Sequence, residues 1–375
     1  MTLADVEFSY DVLVVGAGAA GIGVAVALQH AGVENFAVFE SDLIGASFSR
    51  WPAETRFITP SFPTNSIGML DLNSVAIGVS PGFSLGIEHP TGQDYAQHLR
   101  NVAEYFALPI VERIEVSRVS ALGDGYVVET SAGKGFARHL IWAAGEFQYP
   151  KRFGFAGSEL CRHTGTIDSY AELEGDDFVI IGGYESGVDA AFHLAQNGRR
   201  VRLFDSGSPW ESVSSDPSVS LSPFTFERML DEKFTEQVEL FGNTPVVSVV
   251  YEDDVYEVTA LDETVYRTSI PPLWAGGFEG SHMRIANLFE PRSDGFPLLT
   301  QNDESTIAPG IFFCGPAVRH DNQVFCFIYK YRQRYAVVAK AIANSLGLPA
   351  EQLETYRAWG MYLDDLSCCG EECVC

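Results

Sequence analysis

The run DVLVVGAGAAGIGVAVALQHAGVENFAVFE, residues 11–40, decides the reading of the chain. Residues 11–15 are apolar and rich in β-branched side chains, as a strand covered on both faces requires. Gly16, Gly18 and Gly21 follow at G-x-G-x-x-G spacing. Residues 22–31 then read as a helix, stopped by Gly32, and residues 36–39 as a second buried strand closed by Glu40. Each residue has a mechanical reason. Gly16 makes the turn out of the strand, Gly18 has no side chain to hold a pyrophosphate off the backbone, and Gly21 lets helix and strand pack closely. The helix N-terminus offers unpaired N–H groups and the positive end of its dipole to phosphates. Glu40, nineteen residues beyond Gly21, is placed to accept hydrogen bonds from a ribose diol. A glycine-rich turn without a ligand would explain the glycines but not the acid, so the stretch reads as a dinucleotide site.

The chain of 375 residues has room for two domains and a further small piece. Its formal charge of −26 would repel nucleic acid and anionic membrane surfaces. The first residues, MTLADVEFSYD, lack the basic and apolar regions of a signal peptide. No apolar run approaches the roughly 20 residues of a membrane span. A cytoplasmic protein is expected. Cys161, Cys314 and Cys326 are scattered and read as buried apolar side chains, whereas Cys368, Cys369, Cys373 and Cys375 crowd the last eight positions.

Residues 41–68 are loop-rich, and Trp51, Phe57 and Phe62 could either wall off a flat ring or pin the loop to the core. A helix is expected at 94–106, strands between 110 and 130, and a strand at 136–142 that exits into Ala143, Ala144 and Gly145. Residues 178–205, FVIIGGYESGVDAAFHLAQNGRRVRLFD, then repeat the opening pattern: strand, turn with Gly182, Gly183, Ser186 and Gly187, helix, strand, and a closing Asp205. Tyr184 takes the place of the middle glycine, which leaves a working nicotinamide site or a degenerate one. Asp205 favours NADH; Arg199, Arg200 and Arg202 could instead receive the 2′-phosphate of NADPH. Helices are expected at 226–233, 327–345 and 349–359. His320, Lys330, Arg332 and Arg334 read as a solvated or ion-paired helix face, with an anion contact as the alternative.

The order of signals resembles the two-dinucleotide-binding-domain flavoproteins: thioredoxin reductases, flavin monooxygenases and bacillithiol-disulfide-reductase-like proteins. The matching features are the first fingerprint, AAG at 143–145, the second fingerprint at 182–187, AGG at 275–277 and ESTIAPGIFFCGP at 304–316. The resemblance covers about residues 8–347. It implies an α/β fold of two Rossmann-like, three-layer nucleotide-binding domains, with the FAD domain discontinuous and the NAD(P) domain inserted in it. Implied FAD contacts are Gly16, Gly18, Gly21, Glu40, Gly145 and Gly315. Pro316 stands where thioredoxin reductases place an aspartate on the ribityl chain. The helix from 327 would begin near the flavin pyrimidine edge.

Three chemistries stay open. The internal C-x-x-C of thioredoxin reductase is absent, because Cys161 is followed by Thr164 in the partner position. Ala19 and Ala20 occupy the place of the cysteine that bacillithiol-reductase-like proteins carry in the first turn. Phe155, Gly157, His163 and Tyr170 echo a monooxygenase motif with shifted spacing. The tail SCCGEECVC could relay electrons, bind a soft metal ion, or be inert; Glu371 and Glu372 would raise its thiol pKa values.

The expectation is therefore an FAD-dependent NAD(P)H oxidoreductase resembling thioredoxin reductase. Its acceptor is a small-molecule or protein disulfide, reached through Cys368, Cys369, Cys373 and Cys375. A monooxygenase and a metal-binding or nucleotide-sensing protein are the alternatives. Residues 1–150 and 275–347 are assigned to FAD, 151–274 to NADH or NADPH, and 348–375 to a C-terminal helix and cysteine tail. Cofactor contacts are assigned to Gly16, Gly18, Gly21, Glu40, Trp51, Gly145, Gly182, Gly183, Ser186, Gly187, Asp205 and Gly315. No nucleic acid or membrane partner is expected, and a homodimer is compatible with the sequence.

Overall fold

A computed structural model describes residues 6–63, 70–212, 214, 216 and 218–368. The chain first lays down β1 (Phe8–Val15), α1 (Ala19–His30), β2 (Phe36–Phe39), α2 (Gly92–Tyr105), β3 (Ile110–Val111), β4 (Val116–Leu122), β5 (Gly125–Thr130) and β6 (Gly133–Trp142). It continues with β7 (Arg162–His163), β8 (Asp177–Ile181), α3 (Glu185–Gln196), β9 (Arg200–Phe204), β10 (Val238–Phe241), β11 (Val246–Glu252), β12 (Val255–Ala260), β13 (Val265–Thr268) and β14 (Leu273–Trp274). Last come β15 (Ile311–Phe313) and α4 (Tyr335–Ser345).

In the first sheet β1 lies between β2 and β6, parallel to both, and β3 extends it beyond β2. The start of β6 turns back on β5 as an antiparallel hairpin, and its end pairs in parallel with β15. That last pairing returns residues 311–313 to the first sheet, so the second unit is inserted in the first. The second sheet is ordered β10-β9-β8-β14-β7, all parallel. A three-stranded antiparallel sheet, β11-β12-β13, lies beside it. The fold is α/β with two Rossmann-like units, as expected.

The strands need no polar alternation because both faces are covered. All four residues of β2 are buried, as are Val12 to Val15. Every residue of α1 from Ala19 to Leu28 is buried too. Each fully buried Val, Ile or Leu contributes about 1.5–3 kcal/mol, so α1 is held by its packing, not by amphipathicity. On one side it meets α4 so closely that a Cβ on Gly23 would lie 2.1 Å from the Tyr335 ring. The Tyr335 hydroxyl donates to the Ala19 carbonyl at 3.1 Å, fixing the register of the two helices.

Two helix boundaries differ from expectation through caps, and the helix expected at 327–345 is broken by 3₁₀ geometry at Arg332–Arg334, between Ile328–Tyr331 and α4. A capping box between Thr91 and Asp94 starts α2 at Gly92. The single helix expected at 226–233 is two, Pro223–Met229 and Glu232–Gln237, because Asp231 accepts from Lys233 N and Phe234 N and begins a new one. The final segment, Glu351–Trp359, is 3₁₀-helical.

The basic cluster is ion-paired, as expected, but buried and not solvated. Arg334 is buried and forks onto Asp303 at 2.9 and 3.0 Å, while His320 meets the same carboxylate at 2.5 Å. Arg334 also donates to the carbonyls of Gln301 and Leu363. Arg332 donates to the carbonyls of Asp71 and Ser74, and Lys330 pairs with Asp216. These side chains tie α4 and the residues before it to the last strand, the early loop and the second unit.

Removing one member of a buried pair strands the other charge, at a cost of about 3–5 kcal/mol. Arg334→Met should lower unfolding stability by that amount in urea melts, and adding Asp303→Leu should restore much of it. Burial holds His98 down to a pKa of about 4 from its ordinary 6.5. A lowered folded-state value means that the unfolded chain binds the proton more readily. This contribution is therefore complete above pH 6.5 and is lost as pH falls towards about 4. Urea melts between these limits should show a loss of stability that His98→Gln reduces.

Candidate active site: one cavity beside two glycine turns

The two fingerprints fold into near-superimposable turns. Gly16 has φ +104° and Gly182 φ +103°, a region that L side chains rarely enter. A Cβ on Gly21 would sit 1.8 Å from the Gly16 carbonyl oxygen, and one on Gly187 would sit 1.8 Å from that of Gly182. Glu40 closes the first turn by accepting the Ala17 N–H at 2.8 Å. Its other oxygen accepts Asp42 N at 2.9 Å and the Ser41 hydroxyl at 3.2 Å. Asp205 does the same in the second unit, accepting Gly183 N at 2.7 Å and Gly207 N at 2.8 Å. Neither α1 nor α3 has a side-chain cap, so their first-turn N–H groups are left for a ligand.

The turns differ at one position. Gly18 and Tyr184 have nearly the same backbone, φ −82° ψ −167° and φ −80° ψ −169°. A Cβ on Gly18 would meet only Ser47 Oγ, at 3.9 Å. The protein's own packing does not demand a glycine there, whereas a pyrophosphate against the backbone would. Tyr184 is half-exposed and its hydroxyl donates to the Val219 carbonyl at 3.1 Å. The Trp210 ring and the Asp205 side chain close over Gly183.

A cavity of about 510 Å³ opens at the first turn. Gly16, Gly18, Glu40, Trp51 and Gly145 line it, and it reaches Ser186 in the second unit. Gly21, Gly182, Gly183, Gly187, Asp205 and Gly315 lie off it, although Pro316 is in its wall. Trp51 both lines the cavity and packs on Phe48, Phe57 and Phe147, so the two readings of this aromatic are one. The cavity suits a dinucleotide carrying a flat ring: open backbone at Gly18, an acid at Glu40, and aromatic walls. Gln148 Oε1, buried beside Gly145, has no hydrogen-bond partner, an acceptor that such a ligand would satisfy.

The walls are held by ties between the units. Glu54 accepts from the Ser169 hydroxyl and from the N–H groups of Tyr170 and Ala171. The Thr55 hydroxyl donates to Asp189 at 2.6 Å, and Arg228 pairs with that buried carboxylate. Those hydrogen bonds keep the Glu54 carboxyl below its ordinary range, although burial opposes them.

Sequence reasoning missed a polar group on the far wall. Glu146, Tyr331 and Cys326 all line the cavity. Burial raises the Glu146 carboxyl, with Arg319 and Lys151 opposing. Cys326 is not an apolar core residue: its Sγ lies 3.1 Å from the Ser218 hydroxyl. Cys314 is buried as expected, and burial pushes Cys161 up to about 12. Of the residues that echo the monooxygenase motif, His163 bonds the Gly277 carbonyl, Gly157 abuts Val249, and Tyr170 is buried in the core and also lines the cavity. Arg199 is taken by the carbonyls of Tyr170 and Ala171, and Arg202 by Asp177. Cys369, Cys373 and Cys375 lie outside the described residues, as does the side chain of Cys368. Among the described residues, no group of three or more metal-ligating side chains converges, and no helix is long and apolar enough to cross a membrane.

Several known proteins are similar to this chain. A ferredoxin–NADP reductase of Thermus thermophilus is 24% identical over 361 residues, 91% of this chain and 93% of that one. A ferredoxin–NADP reductase of Ignicoccus hospitalis, 24% identical, matches 52% of this chain, and the chain spans only 55% of that relative's length. The bacillithiol disulfide reductase Bdr (YpdA) of Staphylococcus aureus has a similar structure, with a TM-score of 0.73 at 17% identity, covering 90% of this chain and 99% of that one. A flavin-containing monooxygenase of Stenotrophomonas maltophilia shares the fold as well, with a TM-score of 0.70 at 15% identity and coverage of 90% and 99%. Proteins of this kind are enzymes that use FAD with NAD(P)H, the cofactors expected here. Residues 13–315 match the family model directly, and the chain belongs to the pyridine nucleotide-disulphide oxidoreductase family.

Proposed function

We propose that the chain is a disulfide-reductase-like oxidoreductase that passes electrons from NAD(P)H through FAD to a disulfide or thiol-bound acceptor. The observation that carries this reading is that one cavity runs from the first glycine turn to Ser186, at the start of α3. FAD, when bound, supplies two-electron transfer between the nicotinamide and the acceptor. The chain's own residues position it. Gly16, Gly18 and the start of α1 face the pyrophosphate, Gly21 allows that approach, and Glu40 faces the ribose. Gly145 and the segment at Gly315 and Pro316 flank the flavin, and Trp51 with its aromatic neighbours excludes water.

Gly182, Gly183, Ser186, Gly187 and Asp205 hold the nicotinamide dinucleotide, with Tyr184 and Trp210 as ring-stacking walls. NADH is preferred over NADPH, because Arg199 and Arg202 are committed elsewhere and Arg200 opens β9, at the end of the strand opposite Asp205. Residues 1–150 and 275–347 are the FAD domain and 151–274 the nicotinamide domain.

The cysteines of the tail, Cys368, Cys369, Cys373 and Cys375, carry electrons outwards. Their root supports this. Leu363 N donates to the Gln333 carbonyl, and the Leu366 carbonyl accepts from Gln323 Nε2 at 2.9 Å. Gln323 is three residues from Cys326 in the cavity wall.

Truncation before Ser367 should cut turnover of a small disulfide about tenfold or more, equivalent to ~1.4 kcal/mol, and leave flavin reduction by NAD(P)H intact. Unchanged turnover rules out the relay and leaves the tail to soft-metal binding or to no role. Oxygen incorporation into a product without disulfide turnover moves the reading to a monooxygenase. Glu40→Ala removes the acceptor of Ala17 N and should weaken FAD retention through gel filtration by about tenfold, ~1.4 kcal/mol.

A further inference from the structure

The lining of the cavity carries a thiol, a phenol and a carboxyl that the reading above does not use. Tyr331 is 6% exposed and lines the cavity. Among the described residues, no protein group bonds its hydroxyl, which leaves a donor for a ligand in the cavity. Burial, with Glu146 and Cys326 alongside, pushes the phenol well up and keeps it protonated.

Beside it, Cys326 Sγ and Lys330 Nζ meet at one hydroxyl. Lys330 Nζ donates to Ser218 Oγ at 2.8 Å, and Ser218 Oγ lies 3.1 Å from Cys326 Sγ. An ammonium group only donates, so the Ser218 oxygen accepts from it, and its single hydrogen is left free to turn towards sulfur. With that hydrogen on sulfur, the Ser218 hydroxyl would steady a thiolate formed there. Burial leaves this thiol above its ordinary value, although Ser218, Lys330 and Arg319 pull it down; Asp216 adds to the rise. A buried apolar cysteine needs no such chain of donors.

We infer that Cys326 is the thiol that first takes up the acceptor's sulfur, forming a mixed disulfide inside the cofactor cavity. The inference rests on the disulfide-reductase reading but moves the exchange from the tail cysteines to Cys326, so that truncation before Ser367 and Cys326→Ser tell the two routes apart. The Cys326 thiolate attacks one sulfur of RS–SR. The S–S bond breaks, a Cys326–S–SR bond forms, and RS⁻ leaves and takes a proton to become RSH. Two electrons from NAD(P)H, passed on by FAD, and one further proton then cleave the mixed disulfide. Cys326 thiolate and a second RSH are released, and NAD(P)H becomes NAD(P)⁺. Tyr331 is the hydrogen-bond donor to the departing sulfur, and Ser218 steadies the thiolate that remains.

The test uses the FAD-loaded full chain, reduced, desalted and briefly mixed with 5,5′-dithiobis(2-nitrobenzoic acid). After an acid quench, trypsin releases residues 320–330, which contain Cys326 and no other cysteine. The expected result is a thionitrobenzoate adduct on this peptide that disappears when NAD(P)H is added before the quench. Cys326→Ser, checked for folding by its retained flavin, should lose disulfide turnover about tenfold or more, ~1.4 kcal/mol. Ser218→Ala should move the pH midpoint of Cys326 alkylation upwards, a change that a merely structural hydroxyl would not produce. Disulfide turnover with peptide 320–330 unlabelled overturns this inference and leaves the disulfide-reductase reading standing. A labelled peptide that NAD(P)H does not discharge overturns this inference where disulfide turnover persists, and overturns both where it does not.

Discussion

A carboxylate at the end of one strand, holding the N–H that follows a left-handed glycine on the next, is the bond on which both halves of the molecule depend. Glu40 holds Ala17 and Asp205 holds Gly183. Each bond joins the two parallel strands of its unit just where the chain turns into the helix. It thereby aims the uncapped helix end and keeps the acid in place beside it. The glycine spacing permits the turn; the carboxylate fixes its shape. The same acid has lone pairs left, so in the proposed function the bond that shapes the turn and the group that would meet a ribose are one side chain.

The remaining structure brings those turns to bear on one space. The return of residues 311–313 to the first sheet places Pro316 in the cavity wall, and the residues leading into α4 follow it. Glu54, Thr55 and Lys330 bond the second unit from the first. The buried Asp303, Arg334 and His320 then fix α4 to the last strand and to the carbonyl of Leu363. Arg334 thus links the buried ion pair with Asp303 to the segment that leads into the cysteine tail.

Much of this was legible in the sequence, because it is local. Strand, turn, helix and acid fall within thirty residues in each fingerprint, and their periodicities and glycines carry the fold directly. What was not legible depends on distant partners. Arg334 looks like an exposed cation until Asp303, thirty-one residues earlier, is folded onto it. Cys326 looks like core filling until Ser218, more than a hundred residues away, is set against it. Arg199 and Arg202 resemble a phosphate site only until backbone carbonyls and Asp177 claim them. Asp231 hides a helix boundary because an acid serves equally as a surface residue or a cap. Spacing cannot choose between these roles; contacts do.

The central claim is that the second turn delivers electrons to a flavin held by the first. An anaerobic spectrophotometric titration of the purified chain with each nicotinamide tests it most directly. The account predicts a yellow protein whose visible flavin absorbance is bleached by one equivalent of reduced dinucleotide per flavin, at lower concentrations of NADH than of NADPH. A colourless protein that will not retain added FAD, or a yellow one that neither dinucleotide bleaches, would contradict it.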